Sequence, residues 1–235
     1  MSKMVAHRGY SGKYPENTML AFQKAVEAGC DGIELDVQIS KDGEVVIIHD
    51  EKIDRVSNGT GLVRDYTVKE LQAFDAYGAF EGKFEKQKIP TLSEYFAYMQ
   101  DKPQFTNIEL KNGIYVYPGL EEKTIALINK FHMEGKVQFS SFNHYSMVKC
   151  KKLAPFISTG LLVECWIVHA GAYGKSVQAD YINGRYECFT EETVPEIRQH
   201  GLGYNAWTVN DKEEMGRLIR LQADSIITNY PDMLK

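Results

Sequence analysis

Short runs of apolar, β-branched residues alternate along the chain with longer segments in which apolar residues recur at helical spacing. This alternation is typical of βα units and a parallel sheet. The candidate strands are residues 4–7, 32–39, 45–49, 107–111, 137–141, 158–163, 180–183, 203–209 and 225–228. Eight of them fit βα repeats, and 45–49 is an extra strand after the second. We therefore predict an α/β fold, a (β/α)8 TIM barrel.

One stretch interrupts the regular spacing. Residues 51–89 have little strand character and many turn signals, and a structureless loop of that length is improbable inside a compact domain. We predict a small insertion there, after the second strand region, with at least one helix around 68–74 packed over one face of the barrel. The length of 235 residues suits one large domain, so residues 1–235 are predicted to form a single domain.

Two helix starts carry the residues of a capping box, in which a threonine side chain and a glutamate three residues later exchange hydrogen bonds with the backbone. Thr91 with Glu94 has this spacing, and so does Thr193 with Glu196. Both pairs predict the first turn of a helix.

Charge and cysteine usage limit the class of protein. The net charge of −5 lacks the basic excess of a domain that binds nucleic acid. The four cysteines are far apart, which argues against a disulfide scaffold or a zinc site. The start of the chain lacks the apolar stretch of a signal peptide, and no run of about 18 apolar residues occurs. We expect a cytoplasmic protein without stable membrane insertion; the oligomeric state stays open.

Charged residues are spaced two positions apart in two of the predicted strands. The active site of a parallel barrel lies at the carboxyl ends of its strands. Glu34 and Asp36 point to one face of their strand, and Glu109 and Lys111 share a face of another. Three carboxylates at a barrel mouth suit Mg²⁺ or Ca²⁺ better than Zn²⁺. The alternative is that they form salt bridges to Arg8 and Lys111 and hold no metal, and the pattern alone leaves both open.

Two histidines end strands at the same side of the predicted barrel. They are His7 and His49. A free histidine titrates near neutrality, and a pair of histidines can serve as base and acid in one reaction. A lone histidine at a strand end is more often a hydrogen-bonded structural residue, but two beside three acids and two bases favour catalysis. The remaining histidines, His132, His144, His169 and His200, are predicted to be structural. Glu164 and Asn210 are left without a role.

Several motifs follow one another in a specific order. His-Arg-Gly, Pro-Glu-Asn-Thr, a Glu-x-Asp pair and His-Asp lie at 7–9, 15–18, 34–36 and 49–50. Further segments of the same pattern lie at 58–61, 89–92, 108–111, 140–142, 207–210 and 224–229. Because these motifs occur in this order, the sequence closely resembles the cytoplasmic bacterial form of the glycerophosphodiester phosphodiesterase family. The resemblance extends from end to end of the chain.

The resemblance implies a (β/α)8 barrel with a small insertion, a bound divalent cation, and hydrolysis of glycerophosphodiesters to sn-glycerol 3-phosphate and an alcohol. The cation would be Mg²⁺ or Ca²⁺, with Mn²⁺ as a further candidate, and the substrate a small molecule. By position, nine residues are assigned. They are the metal ligands Glu34, Asp36 and Glu109, the acid–base pair His7 and His49, the phosphate contacts Arg8 and Lys111, the glycerol contact Trp207 and the supporting Glu16.

Two rival functions remain. One is a lysophospholipase D-like phosphodiesterase that acts on lipids, which an exposed apolar or basic rim would favour; the charged insertion shows little of either. The other is a binding barrel that has lost its chemistry, which should lack one of the polar site residues. Tyr10, Lys13 and the segment 183–186 depart from the usual pattern of the family near the rim, and so leave the preferred alcohol undetermined.

Overall fold

Eight parallel strands close into a barrel in the computed structural model, which describes residues 2–233. In chain order the strands are β1 (Lys3–His7), β2 (Gly32–Ile39), β3 (Val45–Ile47), β4 (Phe105–Leu110), β5 (Val137–Ser141), β6 (Ser158–Val163), β7 (Tyr181–Arg185), β8 (Gly203–Trp207) and β9 (Ser225–Thr228). All except β3 pair in parallel with their neighbours, and β1 pairs with both β2 and β9, which closes the sheet. The predicted (β/α)8 barrel is confirmed.

Helices follow the strands along the chain, and all except α2 bury apolar residues in the main apolar cluster around the barrel. They are α1 (Met19–Glu27), α2 (Val68–Leu71), α3 (Leu92–Met99), α4 (Leu120–Lys130), α5 (His144–Leu153), α6 (Ala170–Ser176), α7 (Thr193–Gln199) and α8 (Lys212–Arg220). Short 3-10 turns lie at Val63–Asp65, Glu134–Lys136 and Tyr186–Cys188. Among residues 2–233, no helix is both long enough and apolar enough to span a bilayer.

The alternation within β2 sorts its side chains between two environments. Ile33, Leu35 and Val37 are fully buried members of the main apolar cluster. Glu34 and Asp36 point the other way, into the barrel, because successive residues of a strand face opposite sides. The acidic pair therefore lies inside the barrel without disturbing the apolar layer outside it.

The register of the parallel strands brings distant polar residues side by side. His7 on β1 lies opposite Glu34 on β2, and Asp36 on β2 lies opposite Glu109 on β4. Neighbouring strands are about 4.8 Å apart. Sheet pairing alone thus places one histidine and three carboxylates on adjoining strands at one end of the barrel.

The predicted extra strand at 45–49 is present as the shorter β3, and it runs antiparallel to β2, with Ile47 opposite Val37. Gly43 has φ +85° in the turn that precedes it. Because the hairpin folds back along β2, the Ile48 N–H donates to the Asp36 carbonyl at 3.0 Å. His49 therefore returns to the level of the buried carboxylates.

The segment between β3 and α3 contains little regular structure and has an apolar cluster of its own. The predicted helix at 68–74 is shorter in the structure, Val68–Leu71. The cluster consists of Val46, Ile48, Ile53, Val56, Val63, Leu71, Ala76 and Ile89. Packing among these side chains, which include Val46 of β3, holds the segment against that strand.

One of the two predicted capping boxes is confirmed. Thr91 Oγ1 accepts from the Glu94 N–H at 3.1 Å, and the Thr91 N–H donates to the Glu94 carboxylate at 2.7 Å. The other pair does mark a helix start, since α7 begins at Thr193, but its predicted capping box is absent because Thr193 lies inside the helix and makes no such exchange. The Glu196 carboxylate instead accepts two backbone N–H groups at the start of α6, at 2.8 and 3.0 Å.

Candidate active site

A cavity of about 200 Å³ opens where the barrel strands end. Six of the nine predicted site residues line it: His7, Arg8, Glu34, His49, Glu109 and Trp207. The other three, Glu16, Asp36 and Lys111, contact those lining residues. None of the four histidines predicted to be structural lines this cavity.

Three carboxylates form a cluster in the cavity wall. One oxygen from each of Glu34, Asp36 and Glu109 lies within 4.8 Å of the others. Two oxygens on opposite sides of a Ca²⁺ ion are about 5 Å apart, since each bond is 2.3–2.6 Å long. Asp36 Oδ1 is buried and has no hydrogen-bond partner among the described residues. The spacing and this free oxygen fit a divalent cation.

The electrostatics of the cluster differ from one carboxylate to the next. Burial raises the pKa of Glu34 well above its ordinary value, and the charges of Asp36 and Glu109 add to the rise. Burial and the Asp36 charge also raise the pKa of Glu109. Burial acts on Asp36 in the same direction, but Arg8, His49, Lys111 and the hydrogen bond from Asn17 together outweigh it and lower that pKa to about 2. Within the cluster, Glu34 and Glu109 are therefore protonated more readily than Asp36.

Arg8 reaches three acids at once. Its backbone N–H donates to Glu34 at 2.9 Å, its NH1 donates to Glu16 at 2.8 Å, and its Nε lies 3.4 Å from Asp36 Oδ2. The residue has φ +53°, which costs a non-glycine residue of order 1 kcal/mol or more. Gly9 follows with φ +78°, where an added Cβ would meet the backbone of α1 at 2.8 Å. The turn after β1 thus aims Arg8 into the site.

His7 is oriented by a residue from the far end of the chain. Its Nδ1 lies 2.7 Å from Asn229 Oδ1, and its Nε2 lies 4.0 Å from the Glu34 carboxylate. When Asn229 Oδ1 accepts the Nδ1 proton, Nε2 is left with its lone pair. Asn210, without a role in the sequence analysis, accepts the Asn229 N–H at 2.9 Å. Burial, aided by Arg8, lowers the pKa of His7 to about 4, so the ring is neutral at pH 7.

His49 lies between an acidic side chain, Asp50, and a basic one, Lys111. Its Nδ1 is 2.5 Å from Asp50 Oδ1, and its Nε2 is 3.2 Å from Lys111 Nζ. Lys111 Nζ also donates to Glu109 at 2.8 Å and lies 4.0 Å from Asp36. Asp50 was not among the predicted site residues, although the His-Asp dipeptide was visible in the sequence.

Arg55 was missed by the sequence analysis. It donates to Asp50 at 2.7 and 3.0 Å and to Glu16 at 2.8 Å through each of its two terminal nitrogens. These bidentate pairs link Asp50, which contacts His49, to Glu16, which contacts Arg8. The available signal was an arginine five residues after the His-Asp dipeptide, at the start of the insertion.

Aromatic side chains form the other wall of the cavity. Trp207 donates its ring N–H to the Asn183 carbonyl at 2.9 Å, which fixes the indole. Phe142, also missed, meets Trp207 edge-on at 5.8 Å between ring centroids. Leu162 and Glu164 complete this side. The cavity thus has one wall rich in charged side chains and another that is aromatic and apolar apart from Glu164.

A larger cavity, about 810 Å³, lies at the opposite end of the barrel. Its lining includes Lys3, Phe105, Gln138, Tyr181 and Asp224, from the amino-terminal ends of the strands and the turns beside them. Among the described residues that line it there is neither a histidine nor a cluster of carboxylates. We place the candidate site at the smaller cavity because the ionisable residues converge there.

Comparison with known proteins identifies the family. A family model described as the glycerophosphoryl diester phosphodiesterase family matches residues 7–233. The chain is 45% identical to a glycerophosphodiester phosphodiesterase from Caldanaerobacter subterraneus, over 98% of this chain and 95% of the relative. It is 35% identical to a glycerophosphodiester phosphodiesterase from Bacillus subtilis, over 97% of this chain and 84% of that one.

Solved structures agree with the sequence relatives. A glycerophosphodiester phosphodiesterase from Agrobacterium tumefaciens superposes with a TM-score of 0.85 at 29% identity, covering 99% of this chain and 98% of that one. A phosphodiesterase from Oleispira antarctica, solved in complex with the product sn-glycerol-3-phosphate, superposes with a TM-score of 0.87 at 29% identity, covering 99% and 94%. The chain belongs to the glycerophosphoryl diester phosphodiesterase family and is a phosphodiesterase.

Proposed function

We propose that the protein hydrolyses glycerophosphodiesters to sn-glycerol 3-phosphate and an alcohol, with a divalent cation and two histidines as acid and base. The observation that carries the proposal is the convergence of His7, His49 and the three-carboxylate cluster on one cavity. The product found in the structural relative from Oleispira antarctica supports the same substrate class.

The charge of the site supports a cation. When all five groups are ionised, the three carboxylates carry one more negative charge than Arg8 and Lys111 carry positive charge. In that state the site by itself would repel a phosphodiester anion. A divalent cation held there would reverse that sign and would supply Lewis-acid polarisation of the phosphoryl group. Glu34, Asp36 and Glu109 would hold it, and an oxygen-only ligand set favours Mg²⁺ or Ca²⁺, with Mn²⁺ as a further candidate.

The two histidines are proposed to divide the proton transfers. His7 is neutral at pH 7 and has Nε2 free to accept a proton, so it is assigned as the base. His49, between Asp50 and Lys111, is assigned as the acid that protonates the leaving alkoxide. The nucleophile is either the glycerol 2-hydroxyl, through a cyclic phosphate, or water. Hydrolysis of a 2-deoxyglycerol diester distinguishes them, since only the water route accepts it.

The remaining site residues are proposed to bind and position substrate. Arg8 and Lys111 contact phosphate oxygens, Trp207 packs against the glycerol carbons, and Glu16 supports Arg8 through their 2.8 Å hydrogen bond. All the predicted polar residues are present around the cavity, which disfavours the rival of a barrel without chemistry. We further propose that the chain is a single domain in the cytoplasm and that its partner is a small-molecule substrate.

The decisive experiment is a coupled assay for glycerol 3-phosphate with glycerophosphocholine as substrate. EDTA should abolish the activity, and Mg²⁺, Ca²⁺ or Mn²⁺ should restore it. Full activity after exhaustive chelation would refute the role of the cation. No release of glycerol 3-phosphate from any glycerophosphodiester, with any of the three ions, would refute the proposed reaction.

A further inference from the structure

Gln38 is a fully buried polar side chain near the carboxyl end of β2, two residues after Asp36. Side chains two positions apart lie on the same side of a strand, so the Gln38 amide is on the side of the carboxylates. A buried amide is costly unless its donor and acceptor atoms are hydrogen-bonded. The partners of Gln38 therefore show what this position requires.

The amide nitrogen of Gln38 donates to the segment that carries His49. It reaches the consecutive carbonyls of Ile48, His49 and Asp50 at 3.1, 3.1 and 2.8 Å. These three residues follow the end of β3 at Ile47, so they lie outside the regular ladder of the sheet. One side chain thus holds the backbone on both sides of His49.

The amide oxygen of Gln38 is held from the other side. Tyr117, in the segment after β4, donates its hydroxyl to this oxygen at 2.8 Å. Burial raises the pKa of Tyr117 to about 12, so the hydroxyl keeps its proton at pH 7. Because a backbone carbonyl can only accept, the amide nitrogen must face residues 48–50 and the oxygen must face Tyr117. The amide therefore has a single orientation.

The position of the His49 ring depends on this backbone. The ring contacts the Asp50 carboxylate at 2.5 Å and Lys111 Nζ at 3.2 Å. Asp50 follows His49 directly, so its carboxylate moves with the stretch of backbone that Gln38 binds. A catalytic group displaced by about 1 Å can cost about 10²-fold in rate. Gln38 itself does not line the active-site cavity, so its influence on turnover has to pass through its neighbours.

We propose that Gln38 is a positioning residue for the acid step, and that its amide holds residues 48–50 so that His49 can protonate the leaving alkoxide. The proposal rests on the proposed function, in which His49 is the acid. The contribution of Gln38 should then depend on the leaving group. An alkoxide such as that of choline needs a proton in order to leave, whereas 4-nitrophenolate leaves without one.

The test compares two substrates that differ only in the leaving group, glycerophosphocholine and glycerol 3-(4-nitrophenyl phosphate). His49→Ala should lower kcat for the choline ester by about 10²-fold or more, and kcat for the nitrophenyl ester by less than about threefold. Gln38→Met keeps the approximate size of the side chain but removes the amide. It should show the same selectivity, with a loss of about tenfold or more on the choline ester. KM should change little, since Gln38 does not touch substrate.

Two further variants make the result specific. Gln138→Met is the same change at a buried glutamine of β5 that lines the cavity at the opposite end of the barrel, and should alter neither ester. Tyr117→Phe removes one hydroxyl and should give a smaller loss with the same selectivity. This variant decides the question if Gln38→Met does not fold, and an unchanged kcat for the choline ester would then overturn the proposal.

Equal losses on the two esters in Gln38→Met would also overturn the proposal, because a damaged fold or a lost cation lowers both. If Gln38 acts through His49, Gln38→Met should add little to the loss that His49→Ala causes on the choline ester, and fully additive losses would contradict it. Selectivity in His49→Ala without selectivity in Gln38→Met would remove the positioning role and leave the proposed function intact. Equal losses on both esters in His49→Ala would instead refute the acid assignment in the proposed function, and this proposal with it.

Discussion

Arg55 donates two hydrogen bonds to Asp50, at 2.7 Å from Nε and 3.0 Å from NH2. The same guanidinium also donates to Glu16. One side chain from the insertion therefore orients both Asp50, the partner of His49, and Glu16, the partner of Arg8. The insertion is therefore part of the site's architecture. Charge-assisted bidentate pairs of this kind are strong and directional.

Replacing Arg55 should lower activity without removing any group that touches substrate. Arg55→Ala is expected to reduce kcat/KM by about tenfold or more, the usual scale for losing an outer partner of a site residue. Arg55→Lys should recover part of the loss because it keeps the charge but not the bidentate geometry. Steady-state kinetics check this, with Arg220→Ala as the control at an exposed arginine.

The same network predicts non-additive kinetics. Because Arg55 acts through Asp50, Asp50→Asn should cost little more in the Arg55→Ala background than Arg55→Ala alone. Fully additive effects on kcat/KM would show that the two residues act independently. A lower Tm with normal kcat/KM would reduce Arg55 to a stabilising role.

The two histidines should each be necessary. His7→Ala and His49→Ala are expected to lose at least about 10²-fold in kcat, the usual contribution of general acid–base catalysis. His132→Asn serves as the control, since His132 does not line the cavity and asparagine tolerates its φ of +55°. Near-normal turnover by either alanine variant would return that histidine to a structural role.

Cation binding should release protons. Burial and the neighbouring acids raise the pKa values of Glu34 and Glu109, and a cation needs both as carboxylates. Affinity for Ca²⁺ or Mg²⁺ should therefore rise with pH. Titration calorimetry in two buffers of different ionisation enthalpy measures the protons released. A pH-independent affinity without proton release would contradict the ligand assignment, and Glu34→Gln should reduce the number released.

The acid limb of the pH–rate profile should depend on cation concentration. As the pH falls, Glu34 takes up a proton and the cation is lost, so raising the cation concentration should move the limb to lower pH. The shift should end near pH 4, where His7 takes up a proton and stops acting as a base. Measurement of kcat/KM against pH at several Mg²⁺ concentrations tests this. A limb that stays near pH 6.5 at all concentrations would indicate an unshifted histidine instead.

The barrel and the polar residues around its mouth could be predicted from the sequence because the signals are local. Period-two alternation in β2 puts Glu34 and Asp36 on one face whatever lies around them, and a residue at a strand's carboxyl end faces the mouth of a parallel barrel. The capping prediction at Thr193 failed because Glu196 finds its backbone partners in α6, a contact that short-range spacing does not reveal.

The sequence by itself determined the βα order, the closed barrel that this order implies, and which ionisable side chains reach its mouth. Tertiary structure alone decided their partners. Asn229 meets His7 only because β9 pairs with β1, and Arg55 meets Glu16 only because the insertion folds back over the turn after β1. Periodicity specifies the face on which a side chain lies, but contacts between residues 39 to 222 positions apart depend on how the sheet closes and how the loops pack.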